Sequence, residues 1–409
     1  MNLKGSIPQD LSLLSKLEQL SLDKNNLTNI ETIQSVSHVS KLTLGTNQFT
    51  GKLPKWLGKF SNLQELELSN NGFTSTIPSE FRNLMNLTTL SLGANNIDGN
   101  LNVVEGMFLL EKIYLQDNLF TGIVDSEFLK DLGRIQVLDL SNNDLTGTLD
   151  RPLLRQSKLE ILDLSGNSLQ GELPDFPHAS FLKFLSLRSN NFEGSLPSSI
   201  SRLSLLQYLD VSDNRLSGKL PSDDLNAMTL LENLFLATNR HFAPGPFPNV
   251  RNLVNLKALS LKETARTGAI PTWISDLDQL VLLDLEHNHL NSTIPSQLGS
   301  MPDLTVLLLN HNELTGSVPV ELRNLQRLNV LILDQNKLTG NVDRLCGMDL
   351  PVLIANCAEV RCECCTMCCS ADQPCLDRTW LEGFSPMWDT WYLSDKYQLS
   401  DGALSNPIN

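Results

Sequence analysis

A leucine pattern repeated along most of the chain constrains the fold more than any other feature of this sequence. Residues Leu17–Leu27 fit L-x-x-L-x-L-x-x-N-x-L, with the asparagine at Asn25. This frame occurs fourteen times at an average spacing of about 24 residues. Its anchoring residues are Asn25, Asn47, Asn71, Asn95, Asn118, Asn143, Asn167, Asn190, Asn214, Asn239, Thr264 (in place of asparagine), Asn288, Asn312 and Asn336. Such self-similarity predicts a repeat array rather than several globular domains.

Each copy of the pattern suits a short strand followed by a turn. Alternation places Leu20 and Leu22 on the buried side of a strand and Ser21 on the other. A lone strand cannot bury its leucines, but stacked copies form one parallel sheet over one continuous core. We expect the asparagine amide to satisfy backbone groups in the turn, a glycine to permit a bend and a proline to fix φ beyond it. The pattern therefore predicts a curved solenoid with the sheet on its concave face.

The second half of the repeat identifies its type. It reads x-L-x-G-x-I/L/V-P, as in Gly51–Pro54, Gly171–Pro174 and Gly316–Pro319, although some copies lack the proline. Both halves together resemble the plant-type leucine-rich repeat of receptor-like kinases, receptor-like proteins and polygalacturonase inhibitors, over residues 1–345. The resemblance implies an α/β repeat solenoid. This would be a curved right-handed superhelix with a parallel β-sheet on the concave face and short 3-10 or irregular segments on the convex face.

The repeats also predict the organisation of the chain. We expect a solenoid of one partial and about fourteen full repeats at residues 1–345, a cysteine-rich cap at 346–375 and an aromatic-containing tail at 376–409. Met1 stands where an anchoring asparagine would be, and no signal-peptide pattern follows it. We therefore expect the natural chain to begin further upstream, where a signal peptide or anchor would lie. A cytosolic protein with an uncapped edge is the alternative.

The cap contains every cysteine of the chain. These are Cys346, Cys357, Cys362, Cys364, Cys365, Cys368, Cys369 and Cys375. An even number at a solenoid edge favours a disulfide staple over the exposed core, whereas the density of C-x-C-C-x2-C-C also suits a thiolate metal cluster. The run from Leu353 to Cys369 resembles the cysteine-rich end of leucine-rich repeat proteins from diatoms and related algae.

Outward positions of the predicted strands carry a central patch of aromatic and charged residues. Its members are Tyr114, Asp139, Asp163, Phe184, Arg188, Tyr208, Asp210 and Phe235. Exposed aromatic side chains beside a few charges are typical of ligand surfaces, so we expect ligand contacts here. The alternative is that the aspartates, which belong to a common L-D-L-S variant of the repeat, only solubilise the surface.

A second patch of outward positions is apolar. It comprises Leu282, Val306, Leu308, Val330 and Ile332. An exposed patch of this kind either binds a partner or is covered. The preferred hypothesis is that the tail, which carries Trp380, Trp388 and Trp391 among other aromatic residues, folds back over it.

Two further features carry weaker signals. His287 and His311 occupy equivalent positions in adjacent repeats, near Glu286 and His289, which suits metal binding or pH sensing. Such histidines are more often solvated on a turn, and we predict no metal or cofactor. The proline-rich segment 240–248 predicts a stiff protruding loop.

Composition and motifs exclude several classes of function. The 409 residues carry a net charge of −15, which argues against nucleic-acid binding, and contain no apolar run long enough for a transmembrane helix. Phosphate-loop, metal-protease, nucleophile-elbow and kinase motifs are missing, so no enzyme is predicted. Asn26, Asn86 and Asn291 fit the glycosylation pattern N-x-S/T, which is compatible with secretion.

The sequence therefore predicts an extracellular or cell-surface recognition module. The resemblance implies a peptide, glycan or protein ligand on a rigid concave sheet, and a co-receptor or kinase as a separate partner. A structural or adhesive cell-wall matrix protein is one alternative. An intracellular leucine-rich repeat scaffold, which would have reduced cysteines, is another.

Overall fold

The computed structural model describes residues 2–369 apart from 126–127, 129, 150, 177–179 and 349. The chain divides into two compact units, Met1–Leu203 and Ser204–Asn409, and each is described by itself. Within the described residues, no helix combines the length and apolar character that crossing a membrane requires.

In the first unit, the L-x-L segments form strands that pair in chain order into one parallel sheet, here called the motif sheet. Its eight described strands are Gln19–Ser21, Lys41–Thr43, Glu65–Glu67, Thr89–Ser91, Lys112–Tyr114, Val137–Asp139, Ile161–Asp163 and Phe184–Ser186. Neighbouring strands pair without a register shift, so that Lys41 lies opposite Glu65 and Thr43 opposite Glu67. Equivalent residues of successive repeats therefore lie side by side.

The second unit repeats this arrangement of motif strands. Its eight described strands are Tyr208–Asp210, Asn233–Phe235, Ala258–Ser260, Leu282–Asp284, Val306–Leu308, Val330–Ile332, Val352–Asn356 and Met367–Cys369. The last two strands follow the final anchoring residue, Asn336, so the sheet continues into the cysteine-rich segment.

A second set of short parallel strands, here called the second ladder, follows the anchoring asparagines. In the first unit they are Lys4–Ser6, Asn26–Asn29, Thr50–Lys52, Gly72–Thr76, Asn96–Asn100, Leu119–Ile123, Asp144–Gly147, Ser168–Glu172 and Asn191–Glu193. In the second unit they are Ser217–Gly218, His241–Phe242, Gly245–Pro246, Arg266–Gly268, His289–Thr293, Glu313–Gly316, Lys337–Leu338, Gly340–Asn341 and Val360–Arg361. The proline-rich segment 240–248 thus contributes two short strands to this ladder instead of forming only a loop.

Short helices connect the second ladder to the next motif strand. The 3-10 helices of the first unit are Gln9–Leu13, Glu31–Val36, Lys55–Lys59, Ser79–Asn83, Leu101–Val104 and Ser198–Arg202, and an α-helical turn spans Arg151–Leu154. Those of the second unit are Thr272–Asp276, Ser296–Ser300, Val320–Asn324 and Asp343–Met348, with an α-helix at Ser222–Asn226. The repeat's proline precedes many of them. Pro54, for example, has φ −70° and its carbonyl accepts a hydrogen bond from Leu57 N at 3.1 Å.

The anchoring asparagines join each repeat to the one before it. Asn71 Nδ2 donates to Leu68 O in its own repeat and to Leu44 O in the preceding repeat, both at 3.1 Å. Its Oδ1 accepts a hydrogen bond from Phe49 N at 3.1 Å. The predicted role of the amide is confirmed, and it extends across the boundary between repeats.

The residue before each anchor has a left-handed backbone conformation, with φ between 51° and 63° at all fourteen positions. Gly166 is the single glycine among them. Because this conformation costs a non-glycine residue roughly 1–2 kcal/mol, the hydrogen bonds of the following asparagine must stabilise the turn.

Where Thr264 replaces asparagine, a buried arginine joins this repeat to the one before it through a different set of hydrogen bonds. Thr264 Oγ1 donates to Leu261 O at 2.6 Å, while Arg266 Nε donates to Thr264 O at 2.8 Å. Arg266 Nη2 also donates to Ala243 O at 2.6 Å, and Nη1 lies 3.4 Å from Pro246 O. Burial lowers the pKa of this guanidinium from its ordinary value. Arg266 therefore holds the proline-rich segment against the repeat that lacks its asparagine.

Disulfides close the end of the second unit. The bonds are Cys346–Cys364, Cys357–Cys368 and Cys362–Cys365, and Cys369 is disulfide-bonded as well. Cys375 lies outside the described residues. The disulfide staple is confirmed, and the thiolate metal cluster is ruled out for these paired cysteines because no thiolate is left to bind a metal. The resemblance to algal proteins stays a prediction.

Candidate functional site

The face of the motif sheet that points away from the core is the candidate ligand surface, here called the outer face. Within each three-residue strand, the middle residue points into the core and the first and third residues lie on the outer face. In the strand Lys41–Thr43, for example, Leu42 is fully buried and Lys41 is half-buried. Strands about 4.8 Å apart bring outer-face side chains of successive repeats into contact.

In the first unit, the central patch is far less exposed than predicted. Tyr114 and Phe184 are only 3% and 2% exposed, and Asp139 and Asp163 are buried as well. Side chains of the neighbouring strands cover both sides of each outer-face residue. The alternation of the sequence pattern does not predict this burial. Arg188, two residues beyond its strand, is exposed. The prediction of an exposed aromatic surface was therefore wrong for Tyr114 and Phe184.

The aspartates of the patch stabilise the turn that follows their strands. Asp139 Oδ1 accepts hydrogen bonds from Ser141 N at 3.1 Å and from Ser141 Oγ at 2.7 Å. Asp163 accepts the same two bonds from Ser165. The D-L-S spacing predicts these hydrogen bonds, because a carboxylate two residues before a serine can accept from the serine backbone N–H.

Burial raises the pKa of two outer-face groups in this unit. Burial, together with the carboxylates of Asp139 and Glu67, raises the pKa of Tyr114 far above its ordinary value. The phenol therefore stays protonated at physiological pH. Burial also raises the pKa of Glu67, although hydrogen bonds from Ser69 oppose this change.

The amino-terminal rows of the first unit present a polar, half-buried surface. Lys41 Nζ forms an ion pair with Glu65 Oε1 at 2.8 Å. Thr89 and Lys112 lie side by side on neighbouring strands and are half-buried. These first-position residues are more accessible than the aromatic members of the predicted patch in the same unit.

In the second unit, Tyr208 keeps an accessible ring while its neighbours are buried. The Tyr208 and Phe235 rings make an edge-to-face contact with centroids 5.6 Å apart. Tyr208 is half-buried, whereas Phe235 is 2% exposed. Asp210 is also buried, and its Oδ1 accepts a hydrogen bond from Ser212 N at 2.8 Å. Exposure was thus wrongly predicted for Phe235 but holds in part for Tyr208.

The apolar patch is contiguous but not exposed. Leu282, Val306, Val330 and Ile332 are buried and Leu308 is partly buried, and they belong to a larger cluster that we call the apolar stripe. The stripe also includes Phe235, Ala258, Val352, Ile354 and Cys369. The prediction of contiguity is confirmed and that of exposure was wrong, because close rows of branched side chains cover one another's flanks. The tail expected to cover the patch lies outside the described residues.

A group of polar residues borders the apolar stripe. Asp284 Oδ2 accepts a hydrogen bond from Ser260 Oγ at 2.7 Å. Burial, followed by the nearby carboxylate of Glu286, raises the pKa of Asp284 to about 6. His287 and His311 lie next to this group and stack on each other.

The three predicted glycosylation positions differ in accessibility. Asn86 and Asn291 are exposed, whereas Asn26 is half-buried in a strand of the second ladder. The Asn86 amide also donates to Ser61 O at 2.8 Å. Asn291 therefore suits glycosylation best, because it is more exposed than Asn26 and, among the described residues, its amide does not form the kind of bond that Asn86 makes.

Comparison with protein families identifies the class of this protein. The family described as leucine rich repeat matches residues 37–97 and 283–338, and single repeats of this family match residues 134–155, 158–179, 181–203 and 205–226. The chain belongs to the leucine-rich repeat family, and the predicted solenoid fold is confirmed. A comparison with curated proteins finds no match.

Solved structures extend this comparison. The chain is similar to the PEPR1–AtPEP1 crystal structure, with a TM-score of 0.76, 28% identity and coverage of 87% of this chain and 51% of that one. It is similar to the plant peptide hormone receptor RGFR1 in complex with RGF2, with a TM-score of 0.73, 30% identity and coverage of 87% and 61%. A bacterial protein, the Leptospira interrogans LRR protein LIC12759, gives a TM-score of 0.63, 27% identity and coverage of 84% and 86%. The chain spans about half to three fifths of the first two structures.

Proposed function

We propose that the chain is the recognition module of an extracellular receptor-like protein and binds a peptide across the outer face of its motif sheet, without catalysis. The observation that carries this proposal is the similarity to a plant peptide hormone receptor in complex with its ligand, at 30% identity over 87% of this chain. Disulfides at the end of the second unit support an oxidising, extracellular environment.

The accessible outer-face residues supply the contacts in this proposal. In the first unit, Lys112 offers a half-buried cation beside Thr89, which suits a carboxylate of an extended peptide. In the second unit, the half-buried ring of Tyr208 offers contact area at low cost in entropy. Because the strands hold these side chains in fixed register, the surface loses little freedom when a peptide binds.

Selection of peptides on the purified chain tests the proposal. A random-peptide phage library is selected against the disulfide-intact protein, and enriched peptides are titrated by calorimetry. We expect Lys112→Glu to weaken the binding of peptides that contact the first unit, and Tyr208→Ala that of peptides that contact the second unit, by about tenfold or more. A contact of this kind contributes roughly 1–2 kcal/mol. Lys130→Glu is the matched control, since Lys130 pairs with Glu105 outside the motif sheet.

Two results would count against the proposal. One is a selection that enriches no peptide whose binding saturates. The other is equal affinity of the enriched peptides for Lys112→Glu, Tyr208→Ala and the wild-type chain. Melting temperatures of all variants separate a loss of binding from a loss of fold.

A further inference from the structure

Two histidines of the second unit are brought into register by the repeat. His287 and His311 each precede an anchoring asparagine, and both have a left-handed backbone with φ 54°. Their imidazole rings stack, with centroids 3.9 Å apart and planes inclined by 10°. Since the turn conformation recurs from one repeat to the next, the backbone itself holds the two rings together.

A buried carboxylate completes a group of three potential metal ligands. Glu286 is 5% exposed, and its Oε1 lies 3.0 Å from His287 Nδ1. Its other oxygen, Oε2, pairs with Lys262 Nζ at 2.9 Å. One ligand atom from each of Glu286, His287 and His311 fits within a group whose members are all within 4.8 Å of one another.

Polar atoms in the same cluster lack partners among the described residues. His287 Nδ1 is a buried atom that makes no hydrogen bond among the described residues, although Glu286 Oε1 lies 3.0 Å away. Asn310 occupies the position equivalent to Glu286 in the next repeat, is 5% exposed, and has an unbonded Oδ1. Its Nδ2 lies 3.1 Å from His311 Nδ1. Buried polar atoms without protein partners are rare in folded proteins, and an ordered water or a bound ion commonly satisfies them.

We propose that Glu286, His287 and His311 bind one divalent transition-metal ion. Two imidazole nitrogens and one carboxylate oxygen form a donor set that zinc accepts in proteins, with a fourth position left for water or another donor. The Lys262 ammonium holds the second oxygen of Glu286 and orients the first toward the histidines. This site is independent of the proposed peptide-binding function.

Metal binding requires one of the two rings to turn. A metal lies in the plane of the imidazole that binds it, and two stacked parallel rings cannot both point a nitrogen at one ion between them. Rotation of one ring about its Cβ–Cγ bond resolves this conflict and ends the stacking contact. Loss of the stack is therefore a signature of the loaded site.

Zinc titration of the disulfide-intact chain tests the site. Calorimetry with Zn²⁺ should show one equivalent bound, and His287→Ala and His311→Ala should each lower the affinity by roughly 10- to 100-fold or more. His289→Ala is the matched control, because His289 lies two residues from His287 but is exposed and faces Glu313 at 3.7 Å. The control should bind Zn²⁺ as the wild-type chain does.

A measurement on the wild-type chain keeps the proposal testable if a variant fails to fold. Imidazole resonances of two histidines should shift on addition of Zn²⁺, with loss of the ring-current effect of the stack. Absence of binding, or equal affinity in all three variants, would overturn the proposal and leave the cluster as an ion pair beside a ring stack. Shifts confined to the other histidines would overturn it as well.

Discussion

The motif strands of the two units share one repeat but present different outer faces. In the first unit the rows at Lys41–Thr43 and Glu65–Glu67 are polar and include an ion pair, whereas in the second unit the rows at Val306–Leu308 and Val330–Ile332 are apolar. Both units keep the core leucines and, except at Thr264, the anchoring asparagines. The difference teaches that the core positions specify the fold, while the outer face is left to vary with function.

An aspartate introduced on the outer face should change the free energy of unfolding much more in the second unit than in the first, and this is the largest effect that we expect. Ile332→Asp would bury an unpaired carboxylate in the apolar stripe, where Ile332 is 5% exposed, and should lower the free energy of unfolding by about 3 kcal/mol or more. Ser21→Asp occupies the equivalent third position of an exposed strand in the first unit and should change stability by less than about 0.5 kcal/mol. Urea denaturation measures the free energy of unfolding of both variants. Equal decreases would contradict the difference between the two outer faces.

Removal of a turn-forming aspartate should have a smaller effect. Asp163→Ala deletes the acceptor of two hydrogen bonds from Ser165 and should cost about 2 kcal/mol of stability in urea denaturation. Asp163→Asn keeps an acceptor oxygen at the same place and should cost less. If Asp163→Ala weakened peptide binding at unchanged stability, the carboxylate would belong to the ligand surface and not to the turn.

The pH dependence of stability should show the smallest effect. Burial raises the pKa of Glu67 above its ordinary value of 4.5, so the folded state holds this proton more tightly than the unfolded state. The contribution of Glu67 to stability is therefore present below pH 4.5 and declines as the pH rises through the folded-state pKa. Glu67→Gln, which cannot ionise, should make this decline shallower in urea denaturation at a series of pH values. A profile parallel to that of the wild-type chain would contradict the assignment.

Much of the fold could be predicted from the sequence because the same pattern of leucines and an anchoring residue occurs fourteen times. The motif strands and the asparagine turns follow from a pattern within each repeat, and the disulfide staple follows from the even number of clustered cysteines. The left-handed residue before each anchor could not be predicted, because residues such as Thr46 and Thr238 disfavour that conformation when considered alone.

Less of the candidate site could be predicted. Alternation correctly placed Tyr114 and Phe235 on the outer face, but their burial depends on contacts between repeats about 24 residues apart. The outward positions predicted the aspartates as ligand contacts, whereas Asp139 and Asp163 accept hydrogen bonds from Ser141 and Ser165 in the turn. The stacking of His287 and His311 could be anticipated from their equivalent positions, whereas the unbonded oxygen of Asn310 could not.

The buried Arg266 has a consequence for how this array can change in evolution. An ordinary repeat carries its own asparagine and can be duplicated or exchanged singly. The repeat with Thr264 depends on Arg266, and Arg266 in turn depends on carbonyl groups of Ala243 and Pro246 in the repeat before it. Recombination between these two repeats would leave the Arg266 guanidinium buried without its hydrogen-bond acceptors. The two repeats must therefore be duplicated or exchanged together.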